Sequence, residues 1–149
     1  PKPGGGYRNE LVFRPRTGQS AAGVITYMQR VSNYREYFSV RLPQPLQKGE
    51  EYEISCYISS GNKAPFGNIG TNGFGILLSE IPVEQYTHEP IYKKPHFMLD
   101  KVFFSMDWER VSFRLQADQA YEYLTFGNFL NDFAVKKRYF TYDIDPQAY

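Results

Sequence analysis

Cysteine is nearly absent: Cys56 is alone among 149 residues, so no internal disulfide can brace the fold and no bridge pattern reveals a redox compartment. A dominant charge is missing too. Lys plus Arg number 17 and Asp plus Glu 16, for a net charge of +1, which supplies no overall field to draw in nucleic acid or an anionic membrane. No apolar run approaches the roughly 18 residues of a spanning helix, and direct membrane insertion of this domain is not expected. The opening PKPGGGYRNE lacks the charged and apolar regions of a secretory signal. Nucleophile elbow, phosphate loop and dinucleotide fingerprint are all wanting. With no convergent set of catalytic groups, the chain reads as a non-enzyme without cofactors.

Aromatic side chains are what the sequence has in excess, at 17%, with 13 Tyr and 12 Phe. They suit pleated sheets first and ligand-facing surfaces second, because tyrosine brings a large apolar area and a hydroxyl at low entropic cost. The length allows one well-buried core, hence a single domain spanning 21–149 behind an irregular lead-in at 1–20. Within that lead-in only Glu10 to Phe13 could pair as a strand. Strands are expected in AAGVITYM from Ala21, in NYREYFSVRL from Asn33 to Leu42, and from Glu51 to Ser59. Others follow in FGILLSEI, in WERVSFRLQA, in YEYLTFGNF and in RYFTYDID. Residues Pro82 to Asp100 carry three prolines and both histidines without a sustained period, a long excursion of the kind that is commonly functional or mobile. Strands spaced by turns throughout, with no convincing helix, predict an all-β antiparallel sandwich.

Few of the reactive residues converge. His88 and His96 are eight apart in a proline-rich loop, a spacing that fits no zinc motif, and two exposed loop histidines are the simpler reading. Asp143 with Asp145, and Glu51 with Glu53, share strand parity, yet any i, i+2 pair on a strand lies about 7 Å apart, so carboxylate separation carries no information. Structural calcium could take oxygen ligands from Asn128, Asn131 and Asp132 or from Asp143 and Asp145, but turn chemistry accounts for those residues more simply. Cys56 shares parity with Tyr52, Ile54 and Ile58, as a small buried apolar group would.

Period two sorts the remaining strands into two faces. Tyr34, Glu36, Phe38, Val40 and Leu42 fall on an inward side, Arg35, Tyr37, Ser39 and Arg41 on an outward one. The same parity puts Tyr57 outside on the second strand, Trp108 and Arg110 on a third, and Tyr121 and Tyr123 on a fourth. Rings beside forked donors match the alternating C–H patches and hydroxyls of sugars. Arg35, Tyr37, Arg41, Tyr57, Trp108, Arg110 and Tyr123 are therefore the candidate ligand-binding set. Cross-strand aromatic and cation–ring pairs that only stabilise the sheet would leave the same pattern.

The order of Gly23-Val24-Ile25-Thr26-Tyr27, Tyr34-Arg35-Glu36-Tyr37, the Pro45-Leu46 and Lys48-Gly49 turn, Trp108 with Val111, and Leu124-Thr125-Phe126-Gly127-Asn128-Phe129 resembles a jelly-roll module of bacterial cell-envelope proteins. That module is similar to galactose-binding and carbohydrate-binding-module sandwiches, and often precedes a peptidoglycan-binding domain of the outer-membrane-protein-A type. The likeness runs from about residue 18 to residue 132. It implies a non-catalytic module of the cell envelope, at the extracellular surface or in the periplasm, with glycan as ligand. The alternative is a structural or assembly module that docks on an envelope protein of an outer-membrane or surface complex. The first and closing strands typical of such modules are missing, which implies a piece of a longer protein.

Overall fold

The computed structural model describes residues 15–60 and 68–140, and its eight strands form an all-β antiparallel fold. They are β1 (Tyr37–Arg41), β2 (Glu51–Ile58), β3 (Ile69–Thr71), β4 (Phe74–Ser79), β5 (Phe97–Met98), β6 (Glu109–Gln116), β7 (Tyr123–Asn128) and β8 (Lys137–Tyr139). The largest sheet has the order β1-β7-β4-β5; β2 pairs with β6, and β3 with β8. The candidate strand at Glu10 to Phe13 and the carboxylates Asp143 and Asp145 lie outside the described residues.

Register explains how the two main sheets meet. Across the four-stranded sheet, Val40, Leu124 and Leu78 make one row and Phe38, Phe126 and Ile76 another, and alternation puts both rows on one face. On the β2–β6 pair, Ile54 opposes Phe113 and Cys56 opposes Val111. A core of Ile76, Leu78, Tyr121 and Leu124 takes in Ile54, Cys56, Phe113 and Leu115, so the two sheets share one dry interior. Phe97 stacks on Phe113 across that interior, with ring centroids 5.1 Å apart. This is a sandwich.

The four-stranded sheet is also covered on its other face. Leu77, Ile91 and Phe129 form a second cluster with Tyr37 and Val83, which brings the excursion after β4 onto the back of the sheet. Here Gly127 faces Tyr37 in the register, and a Cβ on Gly127 would overlap the tyrosine ring. Only glycine lets that ring lie flat on the strand.

Two expectations need correction. Residues 21–28 form no strand; their tie to the sheet is local, with Ile25 N–H donating to a Glu36 carboxylate oxygen (2.9 Å) and Glu36 N–H donating to Ile25 O (2.9 Å). Burial at β1 also departs from expectation: Phe38 and Val40 share the core-facing side of Phe126 and Leu124 yet stay 42% and 37% exposed, while Arg35, just before the strand, is buried. Strand β1 lies at the sheet edge, beyond the cover of the two-stranded sheet, and its opposite face is the one sealed by the excursion.

Candidate functional site

Arg35 is an internal tie, a correction to its place in the candidate set. Its side chain is 0% exposed. Nε and Nη2 donate to Leu130 O at 3.1 and 2.8 Å, and Nη1 donates to Tyr34 O at 2.8 Å. Asp132 lies 2.9 Å from Nη2 and balances the charge, although no aligned hydrogen bond reaches its Oδ1. A ligand cannot reach this guanidinium. Tyr37 is likewise turned inward: its hydroxyl donates to Asn128 O (2.7 Å) and accepts from Ile91 N–H (3.0 Å), and burial raises its pKa.

The other candidates divide between two sheets and make no common surface. Arg41 and Tyr123 are register partners, and the guanidinium sits 6.0 Å from the ring centroid while it pairs with Glu122 (Nε to carboxylate, 2.6 Å). Tyr57 and Arg110 are partners on the β2–β6 pair. Arg16 covers the Tyr57 ring at 3.5 Å, and Arg110 donates to Glu53 at 2.8 Å. That hydrogen bond, with the charges of Arg110 and Arg114, holds the Glu53 carboxyl below its usual pKa. Trp108 is half-buried just before β6. Tyr121, assigned outward by parity, is a core residue only 5% exposed. The β2–β6 exterior is thus a face on which Glu53, Arg110 and Arg114 satisfy one another.

Of the residues weighed as calcium ligands, Asn128, Asn131 and Asp132 each hold protein hydrogen bonds. Asn128 Oδ1 accepts from Leu130 N–H and its Nδ2 donates to Asn72 O, while Asn131 Oδ1 accepts from Ala134 N–H. Asp132 and Asn33 exchange hydrogen bonds, each side chain accepting the other's backbone N–H. Asn33 can do this because it adopts a left-handed φ of 56°, which asparagine tolerates better than most residues.

Among the described residues a concave surface lies elsewhere, in the excursion. Residues 81–93 curl around a cavity of about 650 Å³. Its walls include Tyr86 and Tyr92, 88% and 66% exposed, with Glu84, Glu89 and Lys93 around them. Exposed tyrosines on a floppy loop would carry a large ordering cost on binding, but this loop is fixed from below. Arg35 N–H donates to His88 O (2.7 Å), and Gln85 Nε2 donates to Arg35 O (2.8 Å) and Glu89 O (2.9 Å). Tyr34 stacks on His88 at 5.9 Å, and Ile91 is buried against the sheet. The Tyr86 hydroxyl donates to Glu84, and that bond raises the tyrosine pKa. Period-two analysis misses Tyr86 and Tyr92, since they lie in no strand. The signal that points to them is the long, proline-punctuated segment itself.

Comparison with family models, with curated proteins and with solved structures finds no match to this chain.

Proposed function

We propose that this chain is a non-catalytic jelly-roll module of the cell envelope that binds glycan in the tyrosine-walled cavity of residues 81–93. One observation carries the reading: two exposed tyrosines flank a concave volume of about 650 Å³ on a loop held at both sides of Arg35. Rings supply the stacking planes for sugar C–H faces, and the carboxylates of Glu84 and Glu89 supply acceptors for hydroxyls. The β2–β6 exterior is a poorer candidate, because Arg16 occupies one face of Tyr57 and Glu53 occupies Arg110. Calorimetric titration with cell-wall and neutral polysaccharide fragments tests the reading. Tyr86→Ala and Tyr92→Ala should each weaken binding by roughly 2- to 12-fold, the equivalent of about 0.5–1.5 kcal/mol of ring contact. No saturable binding at millimolar glycan, or an unchanged affinity in the double variant, would refute it.

A second reading, a protein-assembly module, is favoured by the half-exposed Phe38 and Val40 on edge strand β1. Such edges invite strand addition. Loss of co-purifying envelope protein on Phe38→Lys would support that reading against glycan binding.

A further inference from the structure

Strand β5 has two residues, and its pairing with β4 ends where Ile76 faces Phe97. Two residues further along β4, the Leu78 N–H points to the same side, beyond the end of that ladder. It donates instead to a side chain: Nδ1 of His96, at 3.0 Å. A ring nitrogen that accepts carries no proton, so the neutral imidazole holds its hydrogen on Nε2. Nε2 lies 3.1 Å from the Tyr121 hydroxyl, which in turn donates to Asp118 Oδ1 at 2.5 Å. The donors therefore run one way, from Leu78 through His96 and Tyr121 to Asp118. The imidazole also packs edge-on against the Tyr121 ring at 4.9 Å.

We propose that His96, Tyr121 and Asp118 form a side-chain latch beside the His96 N–H to Ile76 O bond (2.9 Å) that ties the end of the 80–96 excursion to β4, closed at neutral pH and opened when the imidazole takes a second proton. The only vacant position for that proton is Nδ1, where it would meet the Leu78 N–H donor to donor. The bond must break, leaving an amide of a nearly fully buried residue without its acceptor. His96 itself stands at the surface, so the charged ring has water to turn into.

The charges around the ring set the window. Asp118, on the connection from β6 to β7, favours the charged imidazole, but loss of water around the ring is the larger effect and lowers its pKa. Lys48, in the β1–β2 connection, acts on Asp118, and Glu80, just after β4, acts on Tyr121. The folded His96 therefore protonates less readily than the unfolded one, whose pKa is about 6.5. Its contribution to stability is complete above that value and is lost as pH falls from there through the folded pKa. Asp118, held below its usual carboxylate range first by the Tyr121 hydrogen bond, stays ionised throughout this window.

NMR on the whole chain tests the latch. At pH 7.5 the His96 nitrogen shifts should report the Nε2–H tautomer. Through the His96 titration, the protection factor of the Leu78 amide should fall by about tenfold or more, as expected when one amide loses its acceptor. His96→Asn, whose amide oxygen can stand near Nδ1 and cannot titrate, should keep Leu78 protection constant with pH. An Nδ1–H tautomer, Leu78 protection that stays flat while His96 titrates, or the same pH-dependent loss in His96→Asn would overturn the proposal. If His96→Asn does not fold, the tautomer and exchange data on the natural chain decide.

Discussion

Replacing Arg35 by Met keeps much of the aliphatic volume and removes the guanidinium. In the folded protein that leaves Leu130 O and Tyr34 O without their donors and Asp132 without its countercharge, in a place where the arginine side chain has no solvent exposure. Breaking one side of a buried pair of this kind typically costs about 3–5 kcal/mol, because the remaining charge and carbonyls are stranded. Asp132 is partly exposed and keeps its bond from Asn33 N–H, which argues for the lower half of that range. Against a total stability of roughly 5–15 kcal/mol, the loss is a large fraction.

Urea unfolding followed by tyrosine fluorescence or circular dichroism measures it, with Arg110→Met as the control. Arg110 is also paired with a glutamate, but both partners are about half exposed, so its loss should cost less than about 1 kcal/mol. The expected result is a much lower midpoint for Arg35→Met with an unchanged slope. Equal destabilisation by the two variants would refute the claim that the Arg35 side chain is a structural tie.

Gly127→Ala should destabilise by about 1–3 kcal/mol, since a new methyl group must displace the Tyr37 ring from the strand; thermal unfolding would show it, and Tyr37→Ala should rescue part of the loss. The Cys56 thiol, pushed up to about 11 by burial against the core, should react with an alkylating reagent at pH 8 far more slowly than a free thiol does, and should regain ordinary reactivity in urea.

How much of this was legible depends on how many faces of each sheet are covered. On β2 and β6 the alternation holds residue by residue: Ile54, Cys56, Phe113 and Leu115 turn inward, and Glu53, Tyr57, Arg110 and Arg114 turn outward. That sheet packs on one side only, the case period-two reasoning describes. The β1-β7-β4-β5 sheet packs on both sides, so Leu77 is as interior as Leu78 and Leu124, and Tyr37 is half-buried beside it. Polar-versus-apolar sorting then has no wet face to find. Arg35 misleads for a second reason. Its residue type points outward, and its main acceptor, Leu130 O, lies 95 residues away in the chain, beyond any local pattern. The excursion was recognisable from its prolines and its lack of period, whereas its cavity depends on contacts with Arg35 and Tyr37 that only the tertiary fold creates.

Those contacts give the excursion two tasks at once. Ile91 is buried in the cluster behind the sheet and its immediate neighbour Tyr92 is exposed; Val83 packs on that cluster while Glu84 beside it faces the cavity. Each step outward is anchored by a step inward. On the proposed glycan-binding reading, a loop built this way loses little freedom when a ligand arrives, because the sheet has already ordered it. It follows that the back face of the sheet is sealed by the same residues that shape the cavity, and a change in either will be felt in both. The position of His96 sharpens the point. It sits where the excursion returns to β4, so the ring that takes the Leu78 amide is also the one that extends the β4–β5 ladder.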